Sequence, residues 1–580
     1  MAEHAYDLVI RNGSIADGSG GAIFEGDIAV SGGRIAAVGK VSGRGRDEID
    51  ARGKLVTPGF VDVHTHYDGQ ATWDSRLQPS SWHGCTTIIM GNCGVGFAPC
   101  RTPDHDRLVR LMEGVEDIPF PVLSRGLPWN WESYPDYLDA LGRRSFDVDV
   151  GAQLPHAALR VFVMGERGAN RDPATPDDIA AMRRLARAAI EAGALGFSTS
   201  RTLNHRDSAG NPTPTLTAAE DELTGIALAL KDAGAGVLQF VSDFIDQEAE
   251  FALMRRLVEK SGRPLSFSLL QAPQAPDKWR LLLERVSEAN AAGLNIRAQV
   301  ASRPVGVLLG LDLTMNPFSK SKVFQEIAGL PLEARIAKLR DPALRKRLVD
   351  EEASTETMFA RMALQNWKNM FRMDGDFDYE PTPEMALESL AAKAGRKPQE
   401  LAIEAMLEDE GRGMLYVPFL NYANYSLDPA REMLLHANSV PSLSDGGAHV
   451  GMICDGSFPT YNLVHWTRDR KRGARIALER MVAMQTADTA ALVGLSDRGT
   501  IRAGLRADLN VIDYDRLSLA RPVVAHDLPA GGRRLMQKAN GYVATIVAGA
   551  VTYRDGEPTG ALPGRLLRGA GAQRNAMAAG

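Results

Sequence analysis

Residues 54–70, KLVTPGFVDVHTHYDGQ, pass from a Pro-Gly turn through a short apolar run to two histidines. Side chains two residues apart on a β-strand share a face, so His64 and His66 point the same way if this run is a strand. Neutral imidazole is the commonest side-chain metal ligand, and Asp68 follows closely in the sequence. The pattern therefore indicates a metal or catalytic site. The alternative is a pair of buried, hydrogen-bonded histidines.

Short apolar runs alternate with helix-like segments through the middle of the chain. Later runs are CTTIIMGN, VGAQLP, LGFSTS, GVLQFVSD, PLSFSLLQ and LNIRAQV, and helical patterns such as TPDDIAAMRRLARAAIEAG separate them. The alternation predicts parallel strands joined by crossover helices, and about eight such units close into a (β/α)8 barrel. We therefore predict an α/β fold with a TIM-like barrel over residues 58–485. His64 and His66 would stand at the carboxyl end of its first strand, where barrel active sites are built.

Both ends of the chain are rich in short strands and glycine turns, as in YDLVIRNGSIADGSG and NGYVATIVAGAVTYRDGEP. They predict one small β-sandwich domain built from residues 1–57 and 486–565. Residues 305–430 break the barrel rhythm and predict a helical insertion, either a lid on the barrel or helices packed on its outside. The Gly/Ala/Arg-rich residues 566–580 predict a flexible tail.

The composition narrows the class of protein. The chain has 580 residues, 44% of them hydrophobic, and its 66 basic and 72 acidic residues give a net charge of −6. This slightly negative net charge gives no sign of the excess of basic residues that is typical of nucleic-acid-binding proteins. The sequence has no apolar run of the ~18 residues that a membrane helix needs, no secretory signal pattern, and too few cysteines for a disulfide framework. We predict a cytoplasmic protein with no nucleic-acid or membrane partner, and the apolar barrel exterior leaves room for a homo-oligomer.

Three motifs carry a resemblance to a known family. KLVTPGFVDVHTH and, near the other end, GTIRAGLRADLNVID resemble the amidohydrolase superfamily. WHGCTTIIMGNCGVGFAP narrows the resemblance to its N-acyl-D-amino-acid deacylase (D-aminoacylase) branch. The resemblance covers nearly the whole chain and is specific at residues 55–100 and 486–515. It implies a metal-dependent hydrolase that cleaves the C–N bond of a small-molecule amide, with N-acyl-D-amino acids, which bear a carboxylate, as the first candidates.

The resemblance also assigns roles to residues. His64 and His66 match the metal ligands of the first strand, and Cys93 in GNCG matches a metal-ligating cysteine. Asp445 in PSLSDGGAHVG matches the last-strand aspartate, which binds metal and takes the proton from the attacking water. Without the resemblance, Cys93 would be taken for a small buried hydrophobe. Imidazole and thiolate ligands favour zinc, so we expect Zn2+, one ion or two.

Two departures from the family pattern put the second metal in doubt. The deacylases use two further histidines, after the fifth and sixth strands, but GVLQFVSDF and PLSFSLLQAP contain none. No histidine occurs between His205 and His436, and the fourth-strand segment GALGFSTSR has no lysine that could bridge two metals. Asp243 and Gln271, in the fifth- and sixth-strand segments, are the polar residues there that could supply further ligands.

Four residues are candidates for binding substrate. Arginine at a barrel rim suits a carboxylate because its planar fork binds both oxygens. The histidines follow predicted strands or flank the metal residues. For each of the four, a structural role in pairing, capping or packing is the alternative. The candidates are Arg201, His205, His156 and His449.

Other functions stay open at this point. The altered strand ends allow a hydrolase of a different linear amide or of a cyclic amide. The missing histidines also allow a metal-poor, non-catalytic relative that acts as a binding protein.

Overall fold

Eight parallel strands form the centre of the molecule in the computed structural model, which describes residues 4–351, 360–375 and 377–572. Each strand pairs with the next in chain order, and a bridge between Thr65 and Gly446 joins the first strand to the last. The predicted barrel is therefore confirmed. The strands are β1 (Phe60–Asp62), β2 (Cys85–Met90), β3 (Asp149–Pro155), β4 (Gly196–Arg201), β5 (Val237–Ser242), β6 (Leu265–Leu269), β7 (Ile296–Ala301) and β8 (Ser439–Ser442).

The crossover helices begin and end at strong sequence signals. The longest, Pro176–Ala192, begins at a capping box in which Thr175 and Asp178 exchange side-chain to backbone hydrogen bonds. It ends at Gly193, whose φ of 116° favours glycine. The other main helices around the barrel are His105–Glu116, Phe120–Gly126, Tyr134–Gly142, His156–Met164, Glu220–Ala233, Gln247–Ser261, Lys278–Ala291, Asp428–Leu435 and Leu478–Ala483.

Both ends of the chain share one nine-stranded sheet, which confirms the prediction that they form one β domain. Leu55–Pro58 pairs in parallel with Tyr6–Ile15 on one side and antiparallel with Leu509–Ile512 on the other. Buried aliphatic side chains from both ends form one core under this sheet. The remaining strands of the sheet are Phe24–Ser31, Arg34–Gly39, Gly45–Asp50, Tyr542–Val547, Ala550–Arg554 and Glu557–Pro558, and the same terminal segment adds a hairpin of Val523–Leu528 with Gly532–Met536.

The insertion within residues 305–430 contains strands as well as the predicted helices. Val305–Gly310 and Met414–Leu420 form an antiparallel pair, to which Phe371–Arg372 adds a third strand. Apolar side chains of Val305–Gly310 and Met414–Leu420 pack with those of the insertion helices in a hydrophobic core separate from that of the barrel. This shared core holds the two strands together although the helices lie between them in the sequence. Those helices are Lys322–Ala328, Leu332–Leu339, Pro342–Asp350, Leu387–Ala394 and Pro398–Gly411.

The start of the predicted flexible tail is bound to the barrel. The backbone N–H of Leu567 donates to the carbonyl of Val150, and that of Gly569 donates to Gly193. The predicted flexible tail therefore begins with residues that are hydrogen-bonded to the barrel, and residues 573–580 lie outside the described part. Among the helices that the structure describes, none combines the length and the apolar character needed to cross a bilayer.

Candidate metal centre

The two histidines of the opening motif lie at the carboxyl end of the barrel. His64 and His66 follow β1 directly, and both are only 1% exposed. The backbone between them stays extended because the N–H of Thr65 donates to Ile89 on β2 and the N–H of His66 donates to Gly446 after β8. The two imidazoles lie next to each other, with ring centroids 5.5 Å apart.

Cys93 reaches the same point from a tight turn after β2. Its φ is +54°, and the Asn92 side chain holds the turn by donating to the carbonyls of Thr65 and Ile89. Gly94 follows with φ +68°, and a Cβ there would lie 2.9 Å from the Cα of Thr199, so only glycine fits. The turn places the Cys93 Sγ 3.3 Å from His64 Nε2.

Four predicted ligands converge here. The donor atoms of His64, His66 and Cys93 all lie within 4.8 Å of one another. Asp445, in the turn after β8, places Oδ1 3.4 Å from His64 Nε2 and 3.6 Å from His66 Nε2. Their roles as ligands stay predictions, but three strand ends bring them to one point.

The chemistry of this cluster fits a cation. Both ring nitrogens of His66 and Oε1 of Glu116 are buried and have no hydrogen-bond partner among the residues that the structure describes, which is costly inside a protein. Against the effect of burial, Glu116 and Asp445 raise the pKa of His66 well above its ordinary value. Buried carboxylates thus favour positive charge at this point. A set of two imidazoles, one thiol and one carboxylate matches the ligands of zinc.

Hydrogen bonds fix the orientation of His64. Its Nδ1 lies 2.8 Å from Oε1 of Gln299, which also accepts the hydroxyl of Ser442 at 3.0 Å. Because this amide oxygen can only accept, Nδ1 of His64 carries the proton and Nε2 presents a lone pair to the cluster. Burial lowers the pKa of His64 to about 4, which keeps the ring neutral at neutral pH.

The other charges in the cluster follow from burial and neighbouring groups. Burial acts to raise the pKa of Asp445, but the adjacent His66 and His64 hold it well below its usual range. Asp445 is therefore ionised at neutral pH. Burial raises the pKa of the Cys93 thiol to about 12, so a bound cation is needed to form the thiolate there.

Glu116 is a site residue that the sequence analysis missed. It is the last residue of helix His105–Glu116 and is 1% exposed. Its Oε1 lies 3.3 Å from His66 Nδ1, and its Oε2 lies 3.6 Å from His449 Nε2. A signal was present: Glu116 follows the buried Met112 by four residues, so the helical period places a carboxylate on the apolar face.

Two of the four substrate-binding candidates lie near the cluster. His449, four residues after Asp445, keeps 30% of its side chain exposed beside Glu116. His205, on the loop after β4, accepts from or donates to Ser200 Oγ through Nδ1 at 2.8 Å. Burial, helped by the nearby His449, lowers the pKa of His205 to about 3, so its ring is neutral.

Arg201 and His156 are engaged elsewhere. Arg201 binds both carboxylate oxygens of Glu250, so its fork is already filled. His156 is fully buried, with Nδ1 2.8 Å from Thr199 Oγ1 and Nε2 2.9 Å from Glu222 Oε1. Substrate binding by these two stays a prediction that this geometry does not favour.

The fifth and sixth strand ends supply no obvious substitute ligand. Asp243 accepts hydrogen bonds from Thr202 Oγ1 and from the backbone of Leu203, and Gln271 is bonded to backbone groups of Pro276 and Ala423. Neither belongs to the group of converging donor atoms found among the described residues.

Strand alternation shows which side chains of β5 and β6 face the barrel interior. Gln239 on β5 accepts from the N–H of Cys93, and Ser266 on β6 accepts from Gln299. Two residues further along each strand, Val241 and Ser268 share those inward faces. Neither valine nor serine is a usual zinc ligand.

Residues 47–553, most of the chain, match the family model described as the amidohydrolase family. The chain belongs to the amidohydrolase family. The N-acyl-D-glutamate deacylase of Alcaligenes xylosoxydans xylosoxydans is 26% identical over 574 residues, which cover 97% of this chain and 96% of that protein. The D-aminoacylase of the same organism is 35% identical over 195 residues, 33% of this chain and 37% of that protein.

Solved structures of this branch share the fold of this amidohydrolase. The N-acyl-D-glutamate deacylase of Bordetella bronchiseptica, complexed with zinc and a phosphonate inhibitor, superposes with a TM-score of 0.64 at 23% identity, covering 98% of this chain and all of that one. A D-aminoacylase with a binuclear metal centre gives 0.63 at 23% identity, covering 97% of this chain and all of that one. The predicted D-aminoacylase-like amidohydrolase is confirmed.

Proposed function

We propose that this amidohydrolase is a zinc-dependent deacylase that cleaves the amide bond of N-acyl-D-amino acids. The observation that carries the proposal is the convergence of His64, His66 and Cys93 within 4.8 Å, beside Asp445, at the carboxyl end of the barrel. The substrate class is supported by the N-acyl-D-glutamate deacylase that matches the chain along almost its whole length. A different linear or cyclic amide is the alternative substrate.

We propose that one zinc ion is held by His64, His66, Cys93 and Asp445. When bound, zinc polarises the scissile carbonyl and lowers the pKa of a bound water. The fifth- and sixth-strand segments support a single ion, because they contain no histidine and the inward-facing residues near the ends of β5 and β6 are Val241 and Ser268.

The side chains of this protein would then share the remaining work. Asp445, ionised at neutral pH, accepts the proton of the attacking water at a carboxylate oxygen and passes it to the leaving nitrogen. Gln299 keeps the His64 proton on Nδ1, away from the reaction. His205 and His449 approach from the loops after β4 and β8 and bind the polar groups of the substrate.

Metal analysis and a stereochemical substrate screen test the proposal together. We expect about one zinc per chain, turnover of N-acetyl-D-amino acids over their L-isomers, and a loss of about 100-fold or more in kcat for Asp445→Asn, as is typical when a general base is removed. Asp277→Asn, at an exposed aspartate, is the matched control. A protein that binds no zinc after zinc is added back would overturn the proposal; turnover of another amide alone would correct the substrate.

We also propose a cytoplasmic location, as expected from the sequence, and the apolar barrel exterior leaves room for a homo-oligomer. Light scattering on the purified protein tests for this oligomer, and a monomer at micromolar concentration would contradict it.

A further inference from the structure

The environment of Glu116 is unusual for a glutamate. It is buried to 1% exposure and no lysine or arginine is paired with it in the described part of the chain. Its ion-pair partners are imidazoles: His66 Nδ1 lies 3.3 Å from one oxygen and His449 Nε2 lies 3.6 Å from the other, with the Asp445 carboxylate close by. Such a group is expensive to bury unless positive charge or donated protons offset it.

The backbone around Glu116 ties three parts of the molecule together. The carbonyl of Glu116 accepts the N–H of His449, and the carboxylate of Asp117 accepts the N–H of Gly451 at 3.2 Å. Thr314, from the insertion, donates to the same Asp117 carboxylate at 2.9 Å. The end of helix His105–Glu116 thereby fixes the loop that carries His449.

The geometry points to Glu116 as the positioning residue for the metal centre, an inference that rests on the proposed zinc site. Its Oε1 lies 3.3 Å from Nδ1 of His66 and is placed to accept the Nδ1 proton once Nε2, the nitrogen facing Asp445, binds the metal. Gln299 has the same role for His64: its Oε1 accepts the proton of His64 Nδ1 and leaves His64 Nε2 as the ligand atom. A carboxylate behind a metal-bound histidine sets the tautomer and increases the basicity of the ligand. Its Oε2, 3.6 Å from His449 Nε2, keeps His449 next to the metal centre.

Zinc affinity, measured by competition with a chelator, tests this role. We expect Glu116→Gln to lower zinc affinity by about 10-fold and Glu116→Ala by up to about 100-fold, the range seen for groups that support metal ligands. Glu113→Gln is the matched control: it lies on the same helix, where its Oε1 accepts the N–H of Phe120, and it should leave zinc affinity unchanged. Equal zinc affinity in wild type and Glu116→Gln, with wild type binding zinc, would overturn this inference alone.

A crystal structure of the zinc-loaded wild type gives a second test that needs no variant to fold. We expect Nε2 of His66 on the metal and Nδ1 within hydrogen-bond distance of Glu116. The opposite ring orientation, with Nδ1 on the metal, would contradict the inference. A wild type that binds no zinc at all would overturn both this inference and the proposed function.

Discussion

His83 is a buried histidine outside the metal centre whose protonation should limit stability in acid. Its Nε2 donates to the carbonyl of Gln537, its Nδ1 lies 2.8 Å from Thr460 Oγ1, and burial lowers its pKa to about 4. In the unfolded chain, the His83 imidazole binds a proton below about pH 6.5. In the folded protein, the same imidazole stays neutral down to about pH 4. The free energy of unfolding therefore falls through this window, by about 2 kcal/mol between pH 7.5 and 5.

Urea unfolding at the two pH values measures this contribution of His83. We expect His83→Gln to lose about 2 kcal/mol less than wild type between pH 7.5 and 5. His526→Gln, at a histidine with 58% of its side chain exposed, should follow wild type. An unchanged pH dependence in His83→Gln would show that this imidazole is protonated in the folded state.

The metal-centre residues differ in how far sequence could predict them. His64 and His66 follow from strand alternation alone, because they lie two positions apart after an apolar run. Cys93 and Asp445 needed the family resemblance, since nothing local singles out one cysteine or one aspartate. Predicting Glu116 required knowing which face of its helix is buried. The pairing of Arg201 with Glu250 depends on β4 and the helix Gln247–Ser261 meeting in space.

At the scale of elements, the turn after β2 decides whether Cys93 can reach the cluster. We expect Gly94→Ala to lower zinc content to well below that of wild type, because its Cβ would meet the Thr199 backbone at 2.9 Å in a left-handed conformation. Gly262→Ala is the matched control: φ is +65° there but nothing lies within 4 Å. Elemental analysis of the purified variants checks this, and full zinc occupancy in Gly94→Ala would contradict it.

Element prediction from sequence succeeded where the pattern is local. The alternation of apolar runs and helices gives the barrel, and the capping signals give helices such as Pro176–Ala192. Inside the insertion, Val305–Gly310 was missed because its strand character depends on pairing with Met414–Leu420, far along the chain. The composition of the tail from residue 566 likewise gives no sign of its backbone hydrogen bonds to β3 and Gly193, because these depend on distant parts of the chain.

At the scale of the whole molecule, a buried charge cluster holds the barrel against the terminal β domain. Arg498 is paired with Asp149, the first residue of β3, at 2.7 Å and with Asp508 at 3.4 Å, and all three side chains are nearly inaccessible. Removing the cation would leave two carboxylates buried beside each other, with Arg506 the remaining partner. We expect Arg498→Met to lower the free energy of unfolding by about 3 kcal/mol.

This loss should be global, because the residues of the cluster come from both domains. Urea unfolding should give a single transition at lower denaturant for Arg498→Met, while Arg502→Met, at an exposed arginine, should match wild type. Zinc affinity of the folded variant should be unchanged, since the cluster lies at the amino end of β3 and the metal centre lies at the carboxyl ends of the strands. A loss below about 1 kcal/mol, the usual value for an exposed ion pair, would mean that the two domains are held together by apolar packing instead.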